Sequence, residues 1–346
     1  MRKKFSEINR SYEEAFVAAH EHRMDAIKIY DKYNENGGVN EHFIWRSCPF
    51  CGNDDYDEEE RYLDRYGVAR CRHCKSLYVN PCPSQEVLNE YYNTSNGYVL
   101  LESIYGRRAK KTKSEILDDR VTTIEQYLRK IKHDDIKVLE IGCSNGGFLS
   151  RLKKHLRTID IDKKVSFFGV DTNKNAIQSN SDRELNLVAD TAENFLSQTD
   201  IRFDIIWHSE LIEHIIDPFS LFKMMYVAMN DGAYMIFTTP NDNSLEMKNI
   251  SYNVPRVLGC NIMPPSHLNA FSTLNVPIFV LRNNFRIEEI TTPGRFDVEI
   301  FEMQKEYIDN ELIAKLVESD EEHKEIYQDL IVACGGSSHL QCVIAK

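Results

Sequence analysis

The chain has 346 residues, 42% of them hydrophobic and 28% charged, with a net charge of −12. That length holds one large domain with appendages, and the acidic balance argues against gripping a phosphate backbone, which needs clustered Lys and Arg. No run of about 18 apolar residues is present, so no membrane span is expected. The start Met1-Arg2-Lys3-Lys4-Phe5-Ser6-Glu7 lacks the apolar region of a secretion signal, which points to the cytoplasm. The nine cysteines then read as thiols or metal ligands, not as a disulfide framework.

Residues 1–45 read as an amphipathic helical segment. Phe5, Ile8, Tyr12, Phe16 and Ala19 recur at helical spacing, Ile27 and Tyr30 follow, and Asn36-Gly37-Gly38 closes it. Residues 46–83 form their own unit around two C-x-x-C knuckles, Cys48-Pro49-Phe50-Cys51 and Cys71-Arg72-His73-Cys74, separated by nineteen residues. Four thiolates at that spacing close tetrahedrally on one Zn²⁺, and such all-sulfur sites are structural. Gly52 permits the turn that points backbone amides at sulfur. A redox dithiol would need only one such pair. So small a unit cannot hold a core alone, and metal binding would supply much of its folding energy. Cys82, Cys143, Cys260, Cys334 and Cys342 lack metal spacing and read as buried thiols. A helical connector over 84–134 carries the basic run at 107–111, read as a solvated helix face.

From residue 135 to 346 strand and helix alternate. Strands are expected at 137–141, 166–171, 185–190, 203–208, 232–239, 286–292 and 338–345, with a helix at 273–283. This is the pattern of an α/β, doubly wound, mostly parallel sheet with right-handed crossovers. A long polar loop follows Pro240, to about Ser272. Acidic helices at 302–334 are inserted before the last strand; they either cap a substrate pocket or form a homo-oligomer interface.

The stretch Glu140-Ile141-Gly142-Cys143-Ser144-Asn145-Gly146 is a buried strand entering a glycine-punctuated turn and a helix. Gly142 permits the tight turn, and Gly146 a close approach of the helix start to loop and ligand. In open α/β sheets ligands bind beyond such strand ends. A dinucleotide loop seats a pyrophosphate there, which Glu140 would repel; Glu140 suits a cationic amino group instead. Asp171 ends the second strand, placed for two ribose hydroxyls, and Asp190 ends the third, near where an adenine would sit. The bland alternative is that these acids cap neighbouring helices.

With those residues in place, the sequence resembles the class I S-adenosylmethionine-dependent methyltransferases over roughly 135–346. Glu140 to Gly146 looks like the first motif, Asp171 the ribose-binding acid and Asp190-Thr191-Ala192 the adenine-side motif. Phe203 to Ser209 resembles the fourth-strand motif, and Glu210-Leu211-Ile212-Glu213-His214-Ile215-Ile216-Asp217-Pro218 a segment common in small-molecule methyltransferases, including those acting on quinols and sugars. Ser144 departs from the commoner glycine. The resemblance implies a seven-stranded sheet in the order 3-2-1-4-5-7-6 with the last strand antiparallel. It also implies S-adenosylmethionine as cofactor, held by Glu140, Gly142, Cys143, Ser144, Gly146, Asp171, Thr172, Asp190, Thr191 and Ala192; His208, on the fourth strand, is either packed or on the cofactor side. A zinc ribbon ahead of such a domain resembles bacterial methyltransferases of modified sugars and surface polysaccharides, where an aromatic and Asn-Pro follow the second knuckle, as in Tyr78-Val79-Asn80-Pro81 here. It also resembles a ribosomal RNA guanine methyltransferase, but Asp54-Asp55, Asp57 and Glu58-Glu59-Glu60 would repel phosphates. The expected activity is therefore O-methylation of a sugar, nucleotide-sugar or related small molecule. RNA base methylation and a non-catalytic, cofactor-binding docking protein are the alternatives.

Methyl transfer to a hydroxyl needs proximity and a base for the proton. His267, in the loop after the fifth strand, and His214, just after the fourth, are the candidates. His267 reads equally as base or substrate contact and as a loop anchor. His214 is nearer the cofactor, but its place before Asp217-Pro218 favours an architectural role.

Overall fold

The computed structural model describes residues 12–107, 110–159, 161–255 and 261–346. Phe5, Ile8, Arg108, Ala109 and Cys260 of the sequence reading lie outside them. The strands are β1 (Phe43–Ile44), β2 (Tyr56–Glu58), β3 (Val68–Cys71), β4 (Leu77–Val79), β5 (Cys82–Pro83), β6 (Asp135–Ile141), β7 (Lys164–Asp171), β8 (Leu185–Ala189), β9 (Phe203–Ser209), β10 (Met229–Pro240), β11 (Asn269–Ala270), β12 (Arg286–Thr291) and β13 (His339–Ala345). Seven of them form one sheet in the order β12-β13-β10-β9-β6-β7-β8. β13 is antiparallel to both neighbours and the other pairs are parallel. Numbered along the domain, this is the order 3-2-1-4-5-7-6.

Both faces of the sheet are covered, which is why β6 reads as a continuous apolar run. Ile136 and Val138 enter one core, with Ile124 and Leu128 of the helix Lys110–Lys130 and Leu149 and Leu152 of the helix Gly147–Leu156. Leu139 and Ile141 enter the other, with Leu221 and Phe222 of the helix Pro218–Ala228 and Phe279 and Val280 of the helix Val276–Arg282. Pro218 stands at the first helical position, and the Asp217 carboxylate accepts from the Ser220 amide at 3.0 Å, a standard N-cap.

The N-terminal helix Tyr12–Tyr33 buries Ala26, Ile29 and Tyr30 among Tyr62, Tyr66, Leu88 and Tyr91. The connector consists of three helices, Gln85–Thr94, Asn96–Arg107 and Lys110–Lys130. The insertion before β13 starts at Asp297 rather than residue 302, with helices Asp297–Met303, Glu311–Val317 and Glu321–Ala333. Its first residue is fixed by hydrogen bonding. The buried Asp297 carboxylate accepts from Ser337 Oγ (2.7 Å), Ser338 N (2.7 Å), Ser338 Oγ (2.9 Å) and Gln328 Nε2 (2.7 Å). Among the described residues no helix is long and apolar enough to cross a membrane.

The cysteine unit is joined to the large domain by both sheet and core. β2, β3 and β4 are antiparallel, and their fourth strand is β11, supplied by the loop after β10 and paired with β4. Phe50, inside the first knuckle, is fully buried with its ring edge-on to Phe271 (4.9 Å) and Phe279 (6.2 Å). Cys48 Sγ lies 3.5 Å from Cys74 Sγ and Cys51 Sγ 3.5 Å from Cys71 Sγ, and all four sulfurs fall within 4.8 Å of one another. A sulfur tetrahedron on zinc, with bonds of about 2.3 Å, has edges of about 3.8 Å, so the four residues fit that ion. The knuckle backbone suits it too. Gly52, at φ 77°, donates its amide to Cys48 O (2.8 Å), and the Cys74 amide points at Cys71 Sγ (3.5 Å).

Purified protein should therefore carry one zinc per chain by elemental analysis. Cys71→Ser should lose most of the metal and several kcal/mol of stability, read as a lower urea midpoint. Full stability without metal would remove zinc from the account.

Candidate functional site

The carboxyl ends of β6, β7 and β8 meet in one crevice. After Glu140-Ile141 the chain turns through Gly142 (φ 76°), Ser144 (φ 49°) and Gly146 (φ 71°). The Gly142 and Cys143 amides both donate to Val170 O (2.9 and 3.2 Å), folding the loop over the end of β7. Ser144 adopts a left-handed conformation that glycine would take without penalty. Gly146 is suited to its left-handed backbone, and a Cβ there would also press on Leu187 Cδ1 (2.9 Å) and Leu185 Cδ1 (3.1 Å) on β8. The Cys143 side chain is buried, with its sulfur where a side chain on Gly169 would otherwise sit.

The two acids at neighbouring strand ends have opposite surroundings. Asp171 is well solvated by the backbone: Oδ2 accepts from Ser144 N and Oδ1 from Asn173 N, both at 2.7 Å. Each oxygen keeps a lone pair for a further donor, and Thr172 beside it is exposed. Glu140 is buried, and its Oε2 has no hydrogen-bond partner. Burial pushes its carboxyl well above the usual range, Arg120 on the connector helix opposes this, and the Asp171 charge adds to it. Asp190 accepts from Thr191 N (2.8 Å) and Asn194 Nδ2 (2.5 Å), and Thr191 Oγ1 caps the helix Ala192–Gln198 through Asn194 N (3.1 Å). His208 lies in the core beneath the crevice, paired in register with Ile141. Its ring stacks on Phe237 (5.1 Å, 10°), and burial lowers its pKa to about 3.

The structure brings the two candidate histidines together. His214 ends a 3₁₀ turn, Ile212–His214, just after β9, and His267 precedes β11; their rings meet edge to face at 4.6 Å. His214 Nδ1 lies 3.1 Å from the Ser266 carbonyl, 3.2 Å from Ser266 Oγ and 3.1 Å from Tyr92 Oη. An Nδ1–H donated to that carbonyl leaves the lone pair on Nε2, the nitrogen 3.8 Å from Glu213 Oε1. Burial, then His267, lowers the His214 pKa to about 3, so the ring is neutral at physiological pH. Glu213 is 1% exposed: Oε2 accepts from Thr239 Oγ1 (3.0 Å) and Oε1 has no partner. Its burial, and then the Glu210 charge, push this carboxyl well above the usual range. The ligating atoms of Glu213, His214 and His267 lie within 4.8 Å of one another, a set that can hold a metal ion.

Tyr92, Glu213 and Ser266 were not singled out by the sequence reading. Glu213 carried a signal, because it adjoins His214. Tyr92 reaches the pair from the helix Gln85–Thr94 and carried none. His22, on the N-terminal helix, is also buried nearby. Its Nδ1 is 2.5 Å from Tyr91 Oη, and burial, with His267 adding to it, lowers its pKa to about 3.

Residues 105–271 match the family described as "Methyltransferase domain". Over 127 residues the chain is 29% identical to the ubiquinone biosynthesis O-methyltransferase of Leptothrix cholodnii, covering 36% of this chain and 52% of that protein. The protein of the same name from Coxiella burnetii is 32% identical over 127 residues, covering 36% and 50%. The chain thus spans about half the length of these curated relatives. Among solved structures, a SAM dependent methyltransferase from Archaeoglobus fulgidus superposes with a TM-score of 0.41 at 18% identity, covering 66% of this chain and 94% of that one. The plantazolicin methyltransferase BamL gives 0.48 at 12% identity, covering 75% and 93%. Residues 105–271 are thus similar to a methyltransferase domain, and the seven-stranded sheet has the strand order that the resemblance to class I S-adenosylmethionine-dependent methyltransferases implies.

Proposed function

We propose that the chain transfers a methyl group from S-adenosylmethionine to a hydroxyl of a small-molecule acceptor, with a sugar or nucleotide-sugar as the favoured substrate. The mutually contacting pair of a part-buried His214 and a buried His267 at the carboxyl end of the sheet carries this reading. When bound, the sulfonium supplies an electrophilic methyl group. Glu140 would receive the cofactor's ammonium, the remaining lone pairs of Asp171 would take the ribose hydroxyls, and the loop from Gly142 to Gly146 would shape the seat between them. His267 would take the proton from the acceptor hydroxyl, leaving the oxygen the electron pair it needs as nucleophile. His214 lies beside it as a neutral ring, held by Ser266 and Tyr92.

Oxygen as the methylated atom is favoured by the base at the site and by the O-methyltransferase relatives. The sugar class rests on the ribbon's resemblance and on its surface charge. Arg70 pairs with Glu59 (2.5 Å), and Arg72 with Asp55 (3.0 Å) and Asp57 (2.7 Å), so these two arginines are matched by the ribbon's own acids. That arrangement disfavours RNA.

His267→Ala should lower kcat by about 10²-fold or more with cofactor affinity unchanged, measured with labelled cofactor on sugar and nucleotide-sugar pools. Near-wild-type turnover with a flat pH profile would refute the base assignment. Glu140 gives a second test. Burial raises its carboxyl pKa and so favours the protonated form, whereas a neighbouring ammonium would favour the ionised form, so binding below that raised pKa should release a proton. S-Adenosylhomocysteine affinity should rise with pH towards the elevated carboxyl pKa and level off above it. Glu140→Gln should bind more weakly and lose that proton release; calorimetry in buffers of different ionisation enthalpy reads both.

A further inference from the structure

One cation joins β4 to both of the segments that carry the histidine pair. Arg46 stands two residues before the first knuckle cysteine. Its guanidinium donates to three backbone carbonyls: Nε to Val79 O (3.2 Å), Nη1 to Ile216 O (2.7 Å) and Nη2 to Leu268 O (3.0 Å). Val79 belongs to β4, Ile216 lies two residues beyond His214, and Leu268 directly follows His267. The same three segments are linked through the backbone, with Val79 N donating to Leu268 O (2.9 Å) and Leu268 N to Glu213 O (2.8 Å). Arg46 is itself held: its amide donates to Asn80 Oδ1 (3.1 Å), and its guanidinium lies 5.7 Å from the centre of the Tyr78 ring.

We propose that Arg46 is a positioning residue for the acceptor site, a ribbon-borne fork that sets the spacing of His214 and His267. The proposal rests on the reading that these histidines serve the acceptor. Three carbonyls on three segments, each met by a different guanidinium nitrogen, fix both loops relative to β4. A lysine ammonium can reach one or two of them but lacks the planar fork that meets all three. Displacing a reacting group by about 1 Å costs on the order of 10²-fold in rate, so the fork matters without touching substrate.

Arg46→Ala and Arg46→Lys, compared as zinc-loaded full-length protein, test this. Zinc content and S-adenosylhomocysteine affinity should stay within about twofold of wild type, since neither site includes the guanidinium. Amide hydrogen exchange over residues 212–217 and 262–270 should rise together by about tenfold in Arg46→Ala and less in Arg46→Lys. Turnover should fall by about 10²-fold in Arg46→Ala, with partial recovery in Arg46→Lys and little change in KM for the cofactor. Wild-type exchange in both segments would overturn the proposal, whatever the activity. If Arg46→Ala loses zinc, Arg46→Lys decides alone: faster exchange with zinc retained supports the fork, and wild-type exchange rejects it. Loosened segments in a protein whose wild type methylates no hydroxyl would leave the positioning role standing and remove the proposed reaction.

Discussion

The antiparallel pairing of β11 with β4 is the contact on which the loop carrying His267 depends. It is only two residues long, and a backbone hydrogen bond contributes about 1 kcal/mol net, so it cannot order a long polar loop alone. Its strength is borrowed. β4 is held by β3 and the second knuckle, and Phe50 of the first knuckle is buried against Phe271 and Phe279 beyond β11. Irregular backbone must find partners for its amides and carbonyls, and here the ribbon provides an edge that would otherwise be open to other strands. Order that a metal bound by the four cysteines would give the ribbon would thereby pass to the loop that carries His267.

The polar groups divide into two populations. Asp171 and Asp297 are surrounded by donors and hold backbone in place. Glu140, Glu213 and His208 are buried with at least one atom lacking a partner. Burying a polar group without a hydrogen bond costs free energy, and folded proteins accumulate such costs where a ligand or a reaction offsets them. For Glu140 and Glu213 that location is the strand-end crevice and the histidine pair. His208 instead sits among aromatic rings, where packing explains it.

Much of the sheet was legible in the sequence because its central strands are buried on both faces and separated by helices with caps of their own, as at Asp217-Pro218. The strand order came from family resemblance, since alternation alone allows several windings. The strand-end acids were readable because their positions are local to each strand. What stayed hidden depends on contacts distant along the chain. Nothing near Asn269-Ala270 marks a ribbon strand, nothing near Tyr92 points to His214, and Arg46 looks like any arginine before a cysteine. Gly146 was legible as a glycine of the turn, but its close approach to Leu185 and Leu187 on β8 is made only by the folded chain.

The carboxylate of Asp297 has a consequence for how this family of sheets can grow. It binds the first residue of the insertion to Ser337 and Ser338 at its end, and to Gln328 in its last helix. The excursion between β12 and β13 is thus closed at its base, and the two strands are held much as a short hairpin would hold them. Closure entropy rises only logarithmically with loop length, so further residues added outside that clasp would cost the sheet little. The insertion is therefore where chains built on this plan can gain or lose whole helices while the strand order, and the crevice it makes, stay the same.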